Sequence, residues 1–269
     1  LKQVVDAVER FKPNTKISEI NEFWLNDYCK FLVSEGKENS TIKQNHLKNI
    51  KVVCAFASKK LGLKVTDDVE YFTWRDQKKQ YFTPTAIEIS KIMSLTDLTR
   101  GEEHIRDIFI VSCFTGLRES DVREIQSEMM EEQNGQKFLR VSMKKTNLDY
   151  SIPVNQEVWD ILKKYNFSLP KYTQQSYNLI IKRVAKKATK GVYVKYRFEG
   201  NKKIKKIKPR HQMFTTHTGR RFFGRNWIDR GGSLVILMKI FGHSSIETTL
   251  KYIGYQPEEI TKEFQKVMM

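Results

Sequence analysis

Three short segments of this chain combine residue types suited to holding an oxyanion. In Thr115-Gly-Leu-Arg118-Glu-Ser-Asp-Val122, Arg118 follows a glycine turn and precedes a helix that Ser120 is placed to cap, so its guanidinium leaves the backbone at a fixed point. Thr216-His217-Thr-Gly-Arg220 sets a histidine and an arginine at i, i+3 in the first turn of a helix, on one face and beside its positive end. Gly242-His243-Ser-Ser-Ile-Glu-Thr-Thr-Leu-Lys-Tyr252 places His243 ahead of a capping box of Ser244 and Glu247, with Tyr252 nine positions after the histidine. Taken singly, these are a surface arginine, a helix start and a capped helix. Their occurrence together, in this order, is what points to chemistry on an anionic group.

The elements that must position these segments are mostly helical. Ile17, Ile20, Phe23, Trp24, Tyr28, Phe31 and Leu32 recur at helical spacing and predict one stripe of a helix from Ile17 to Val33, closed by Gly36. Thr41 with Gln44 reads as the capping box of a second helix that stops at Gly62. Periodicity lapses over Trp74 to Gln80, a charged linker, so the reading is a helical domain of residues 1–80 followed by a larger domain of residues 81–269. Thr83-Pro84 is a helix start, and a helix through Ile105 to Phe114 ends at Gly116. Phe138 to Met143 and Tyr150 to Val154 predict a β-hairpin, and a helix covers Tyr177 to Ala188. The predicted fold class is mainly α with a small β-hairpin or sheet.

Composition narrows the partners. With 48 Lys and Arg against 31 Asp and Glu, the net charge is +17, an excess that calls for a polyanion, nucleic acid before an anionic membrane surface. From Lys182 to Arg210 the one acid is Glu199, so this stretch reads as a phosphate-contacting segment in preference to a solvated loop. No apolar run approaches the roughly 20 residues of a spanning helix and no leader is evident, so the expectation is a cytoplasmic protein that does not engage membranes. The chain begins at Leu1 and not at methionine, so it reads as part of something longer, with a further N-terminal domain open. Cys29, Cys54 and Cys113 lie apart within apolar helical patterns, and read as buried, reduced thiols.

Thr-Gly-Leu-Arg, a lysine on a β-hairpin, His-x-x-Arg, Gly-His-Ser-Ser and a following tyrosine together resemble the motif set of the tyrosine recombinase and phage integrase family, over residues 83 to 255. The resemblance implies that Arg118 and Arg220 clamp a scissile phosphate, that His217 and His243 are the two site histidines, and that Tyr252 is the nucleophile. The lysine is Lys145, with Lys144 as the alternative, since strand alternation sends the two to opposite faces. Tyr255 is a second tyrosine, out of register with the motif. Two positions depart from the family pattern: Gly219 where leucine is usual, and Arg221 where a second histidine is common. The domain of residues 1–80 resembles the family's core-binding domain in architecture alone.

The implied reaction is the site-specific cutting and rejoining of double-stranded DNA through a 3′-phosphotyrosine. A phosphodiester under attack gathers negative charge, which two bidentate guanidiniums are suited to offset. Tyrosine, with a pKa of about 10, needs surrounding cations and a base, for which His217 is the candidate. Lys145 protonates the leaving 5′ oxygen and His243 donates to a non-bridging oxygen. The phosphotyrosine keeps the energy of the broken bond, so no cofactor is expected. The resemblance further implies a tetramer on two DNA sites, with accessory DNA-bending proteins among its partners. Residues 258–268 carry Ile260, Phe264, Val267 and Met268 on one stripe, which docks on a neighbouring protomer or on its own domain. Type IB topoisomerases use the same constellation, and a non-catalytic DNA-binding protein of the same fold is the other alternative.

Overall fold

The computed structural model describes residues 1–74, 81–143, 148–200 and 202–254. It is mainly helical with two small antiparallel sheets, and it divides into two compact units. The first takes in residues 1–79 together with Val194–Ile207, the second residues 80–193 together with 208–269.

In the first unit, α1 (Lys2–Phe11), which lies ahead of the predicted elements, precedes α2 (Glu22–Ser34). α2 starts later than the predicted Ile17, because the Asn21 side chain accepts from Trp24 N at 3.0 Å and sets the first turn there. The buried stripe is Trp24, Leu25, Tyr28, Cys29 and Leu32, and Phe23 is left 80% exposed, outside the stripe predicted for it. α3 (Asn39–Thr41) runs through a π-helical stretch, Ile42–Leu47, into α4 (Lys48–Leu61), with α5 (Asp68–Tyr71) beyond. The predicted Thr41 capping box is absent: Thr41 already has helical φ and ψ, so its side chain is not placed to cap. Gly62 does end α4, at φ +63°. Tyr28 lies at the centre of this core and its hydroxyl meets His46 Nδ1 at 2.9 Å. The buried Asn39 carboxamide accepts from Trp74 Nε1 and from Gly200 N, and donates to Gly200 O, which ties Gly200 into the unit.

The second unit contains α6 (Ala86–Met93), α7 (Arg100–Thr115), α8 (Glu119–Val122), β1 (Met130–Gln133), β2 (Gln136–Met143), β3 (Leu148–Pro153), α9 (Gln156–Lys164) and α10 (Gln174–Ala188). There follow β4 (Val192–Glu199) and β5 (Lys202–Pro209), most of each belonging to the first unit, then α11 (Thr218–Asp229), α12 (Leu234–Phe241) and α13 (Ile246–Ile253). α6 begins two residues after the predicted Thr83-Pro84, because Thr85 and Glu88 close a capping box: Thr85 N donates to Glu88 at 2.8 Å and Glu88 N to Thr85 Oγ1 at 3.2 Å. α7 is the core helix, with Ile105, Ile108, Phe109, Ile110 and Val111 fully buried, and α10 and α11 pack against it. It ends at Gly116 in the left-handed conformation, φ +70°.

The predicted hairpin is present: β2 and β3 pair antiparallel from Phe138↔Pro153 to Met143↔Leu148, and β1 adds a third strand on the far side of β2. The basic stretch after α10 forms the antiparallel β4–β5 pair, with lysines at 202, 203, 205, 206 and 208 of β5. All three cysteines are buried and unpaired. No helix among the described residues is long and apolar enough to cross a membrane.

The close approach of α11 to α7 explains Gly219. A Cβ there would lie 3.1 Å from the Phe109 carbonyl oxygen and 3.2 Å from Ser112, closer than ordinary van der Waals contact. Gly219→Leu is therefore expected to lower stability by about 1 to 3 kcal/mol through overpacking. Gly219→Ala should lose less. Urea unfolding midpoints, with the slope checked for constancy, measure both.

Candidate active site

α12 ends at Phe241, and the last four carbonyls of a helix have no partner within it. Here each is satisfied from elsewhere. Met238 O accepts from His243 N at 3.0 Å and Lys239 O from Gly242 N at 2.9 Å, the turn being made by Gly242 in the left-handed region at φ +59°. Ile240 O accepts from the Tyr150 hydroxyl at 3.3 Å. Phe241 O accepts from two arginines, Arg220 Nη2 at 2.7 Å and Arg118 Nη2 at 3.3 Å.

The two guanidiniums arrive differently. Arg220, in the first turn of α11, is 2% exposed, donates also to Gly116 O at 2.6 Å, and lies over the Phe241 ring at 4.2 Å. Burial, with Arg118 adding to it and Tyr252 opposing it, lowers its pKa to about 10, which leaves it charged at neutral pH. Arg118 is the N-cap of α8, with extended backbone that turns its side chain away from the helix. It stays 41% exposed and pairs loosely with Asp121 at 3.6 Å. Ser120 does not cap α8 as predicted, because it lies inside the helix, where its hydroxyl donates to Asp121.

Tyr252 lies near the end of α13, partly buried among the rings of Phe241 at 5.5 Å, His243 at 5.4 Å and His217 at 6.4 Å, each edge-on. Its hydroxyl reaches His217 Nδ1 at 3.4 Å, a long hydrogen bond. Burial raises its phenol pKa, while Arg220, Arg221 and Arg118 oppose that rise. His217 is the N-cap of α11 and exposed, yet the atoms packed around its ring, then Arg221, Arg220 and Arg118, lower its pKa, so the ring is neutral and able to accept a proton near pH 7. His243 Nδ1 meets Thr249 Oγ1 at 3.0 Å. When that hydroxyl donates, the proton of a neutral His243 ring sits on Nε2.

α13 starts one residue later than predicted: Ser245, not Ser244, is the N-cap and accepts from Thr248 N at 3.2 Å, while Glu247 pairs with Lys251. Gly224 in α11 admits α13, since a Cβ there would come within 2.7 Å of Ile253 and 2.8 Å of Phe241.

Five of the six predicted site residues, Arg118, His217, Arg220, His243 and Tyr252, are thus gathered around the end of α12. Lys145, its alternative Lys144, the second tyrosine Tyr255 and the stripe at 258–268 lie outside the described residues. Two residues the sequence reading had no role for also reach Tyr252. Arg221 places its guanidinium 5.3 Å from the Tyr252 ring centre and 4.4 Å from that of Tyr81, and the Tyr81 ring is 6.5 Å from Tyr252. The signal for Arg221 was its place beside Arg220, at a departure from the motif that the sequence resembles; Tyr81 gave none. Among the described residues no group of three or more His, Cys, Asp or Glu side chains is placed to hold a metal ion.

A sequence model described as the phage integrase family matches residues 84–259. A probable integrase/recombinase of Acholeplasma phage L2 is 30% identical over 152 residues, covering 56% of this chain and 49% of the relative, so the chain spans about half that protein's length. Among solved structures, the Tn1549 transposon integrase in complex with transposon right-end DNA superposes with a TM-score of 0.70 at 13% identity, covering 100% of this chain and 92% of the other. Lambda integrase, as a dimer bound to a core site, gives a TM-score of 0.67 at 16% identity, covering 95% of this chain and 87% of that one. At these identities the two structures establish the fold.

The unequal burial of the two arginines sets different expectations for folding. Arg220→Ala leaves the Gly116 carbonyl unpaired in the interior and should destabilise the protein by about 3 kcal/mol. Arg118→Ala, at a half-exposed site whose carbonyl keeps Arg220, should change stability by less than about 1 kcal/mol. Thermal or urea unfolding of the two variants side by side tests the asymmetry.

Proposed function

Because the chain belongs to the phage integrase family, we propose that it is a site-specific DNA recombinase that cuts and rejoins strands through a phosphotyrosine at Tyr252. The observation that carries this reading is the convergence of Arg118, Arg220, His217 and His243 on the tyrosine at the end of α12. A tyrosine with a neutral histidine at its hydroxyl and two arginines beside it is equipped to attack a phosphodiester.

In the proposed reaction the Tyr252 hydroxyl passes its proton to His217 Nδ1 and its oxygen bonds to the scissile phosphorus. The bond to the 5′ oxygen breaks and leaves a 3′-phosphotyrosine. Arg118, half-exposed and loosely paired, is free to turn to a phosphate oxygen. Arg220, anchored to two carbonyls, supplies fixed positive charge with its remaining N–H groups. His243 donates from Nε2 to a non-bridging oxygen. Lys145, which follows β2 in the sequence, protonates the leaving 5′ oxygen. Reversal with a different 5′ hydroxyl rejoins the strands, and the phosphotyrosine carries the bond energy across.

Double-stranded DNA is the proposed substrate. The net charge of +17 supports it, as do the β5 lysines, which are proposed to contact phosphates. Residues 1–80 are proposed as the second DNA-binding domain beside the catalytic domain of residues 81–269. Recombination requires protomers on two duplexes, so a tetramer on two sites is proposed for the active assembly, with DNA-bending proteins as accessory partners.

Tyr252→Phe is expected to bind DNA with unchanged affinity and to form no covalent adduct on nicked DNA, read on a denaturing gel. An adduct formed by this variant would move the nucleophile to Tyr255. Arg118→Ala should slow adduct formation about a hundredfold to a thousandfold with little change in affinity.

For Lys145, single-turnover cleavage of oxygen- and sulfur-bridged DNA is decisive, since a 5′ sulfur leaves with little proton assistance. Lys145→Ala should be slow on oxygen and close to wild type on sulfur, and Lys144→Ala mildly affected on both. Equal defects of Lys145→Ala on both substrates would remove it as the acid.

A further inference from the structure

Arg221 is a cation with an unusual setting. Its guanidinium is packed against the rings of Tyr81 at 4.4 Å and Tyr252 at 5.3 Å. Its Nε is buried and has no hydrogen-bond partner among the described residues, and none of the described carboxylates pairs with it. A desolvated guanidinium without a counter-ion is unfavourable unless something nearby gains from the charge. Aromatic faces recover part of that energy, but a phenolate would recover far more, because it adds a full opposite charge to the same contact.

We propose that Arg221 is a positioning residue for the attacking tyrosine: held between Tyr81 and Tyr252, its guanidinium fixes the Tyr252 ring and favours the phenolate over the phenol. This rests on Tyr252 being the nucleophile. Among the described residues, the other titratable or charged groups facing Tyr252 are Arg220 from α11, His217 at its N-cap, Arg118 from the N-cap of α8, His243 from the turn before α13 and Tyr81 from the segment before α6. Arg220 divides its N–H groups between the Gly116 and Phe241 carbonyls and Arg118 is assigned to the phosphate, whereas Arg221 Nε is buried with no hydrogen-bond partner among the described residues. Burial lowers the Arg221 pKa, while Tyr252, Tyr81 and Tyr193 act to raise it.

A cation at this distance lowers the phenol pKa, so its loss raises that pKa and reduces the phenolate fraction at any pH below it. Removal of the charge is expected to shift the pH dependence of attack upward by about one unit, equivalent to about tenfold slower attack near pH 7. Lysine keeps the charge but not the planar stack, so Arg221→Lys should recover part of the rate.

The experiment is single-turnover adduct formation on nicked DNA between pH 6 and 9, with protein in excess, for wild type, Arg221→Gln, Arg221→Lys and Tyr252→Phe. For Arg221→Gln the expected result is a defect of about tenfold near pH 7 that shrinks as pH rises, with DNA affinity within twofold of wild type. Incorporation of 3-fluorotyrosine at position 252, whose phenol is more acidic, should restore most of the Arg221→Gln rate. A defect that is constant with pH and not restored by fluorotyrosine would overturn the proposal, as would a lost affinity that accounts for the slower rate. If Arg221→Gln does not fold, Arg221→Lys decides: a wild-type pH profile with unchanged rate would overturn the stacking role. An adduct formed by Tyr252→Phe would instead sink the nucleophile assignment, a failure read from a different variant.

Discussion

The carbonyl oxygen of Phe241 is the point on which the rest of the candidate site depends. It stands at the negative end of α12, where unpaired carbonyls favour cations, and it accepts from Arg220 and Arg118 at once. Two guanidiniums brought together repel, and a shared acceptor between them offsets part of that repulsion. The neighbouring carbonyls are taken by Gly242 N, His243 N and the Tyr150 hydroxyl, so the end of α12 has no spare acceptor to draw either arginine elsewhere. The same turn that satisfies two of those carbonyls delivers His243 to the site. One helix end therefore sets the position of both arginines and of a histidine.

The arginines are alike in charge and unlike in freedom. Arg220 is buried, bonded to two carbonyls and stacked on Phe241, so its conformation is decided before any anion arrives. Arg118 is half-exposed and has one long bond to Phe241 O with a loose contact to Asp121. A fixed cation with an adjustable one beside it can hold a preset potential and still adapt to a phosphate's oxygens. Small residues make this arrangement possible: Gly219 lets α11 lie against α7, and Gly224 lets Ile253 of α13 and Phe241 of α12 close on α11. With a side chain at either position, α11 would stand off from its neighbours and carry Arg220 away from its carbonyls.

Much of this was legible in the chain itself. The residue types, order and spacing of Arg118, His217, Arg220, His243 and Tyr252 identified the family, because chemistry on an anion demands particular functional groups and they recur at particular intervals. The hairpin of β2 and β3, the left-handed turn at Gly116 and the buried thiols also followed from local pattern, since alternation, glycine conformation and apolar periodicity act within a few residues.

Tertiary structure decided what local signals left competing. Thr85 starts α6 in place of Thr83-Pro84 because Glu88 closes a capping box on it, and Ser245 starts α13 in place of Ser244 because its side chain accepts from Thr248 N. Phe23 faces solvent because α2 buries the stripe of Trp24, Leu25, Tyr28, Cys29 and Leu32 instead. Arg221 looked like a local departure from the family pattern, and its meaning appeared with Tyr81 and Tyr252, both distant in sequence, at its guanidinium. The order of residues determined which groups this protein has for its chemistry. Which carbonyl each arginine holds, and which ring each cation faces, was decided by contacts such as Arg220 to Gly116, 104 residues apart, because those energies exist only once the helices have packed.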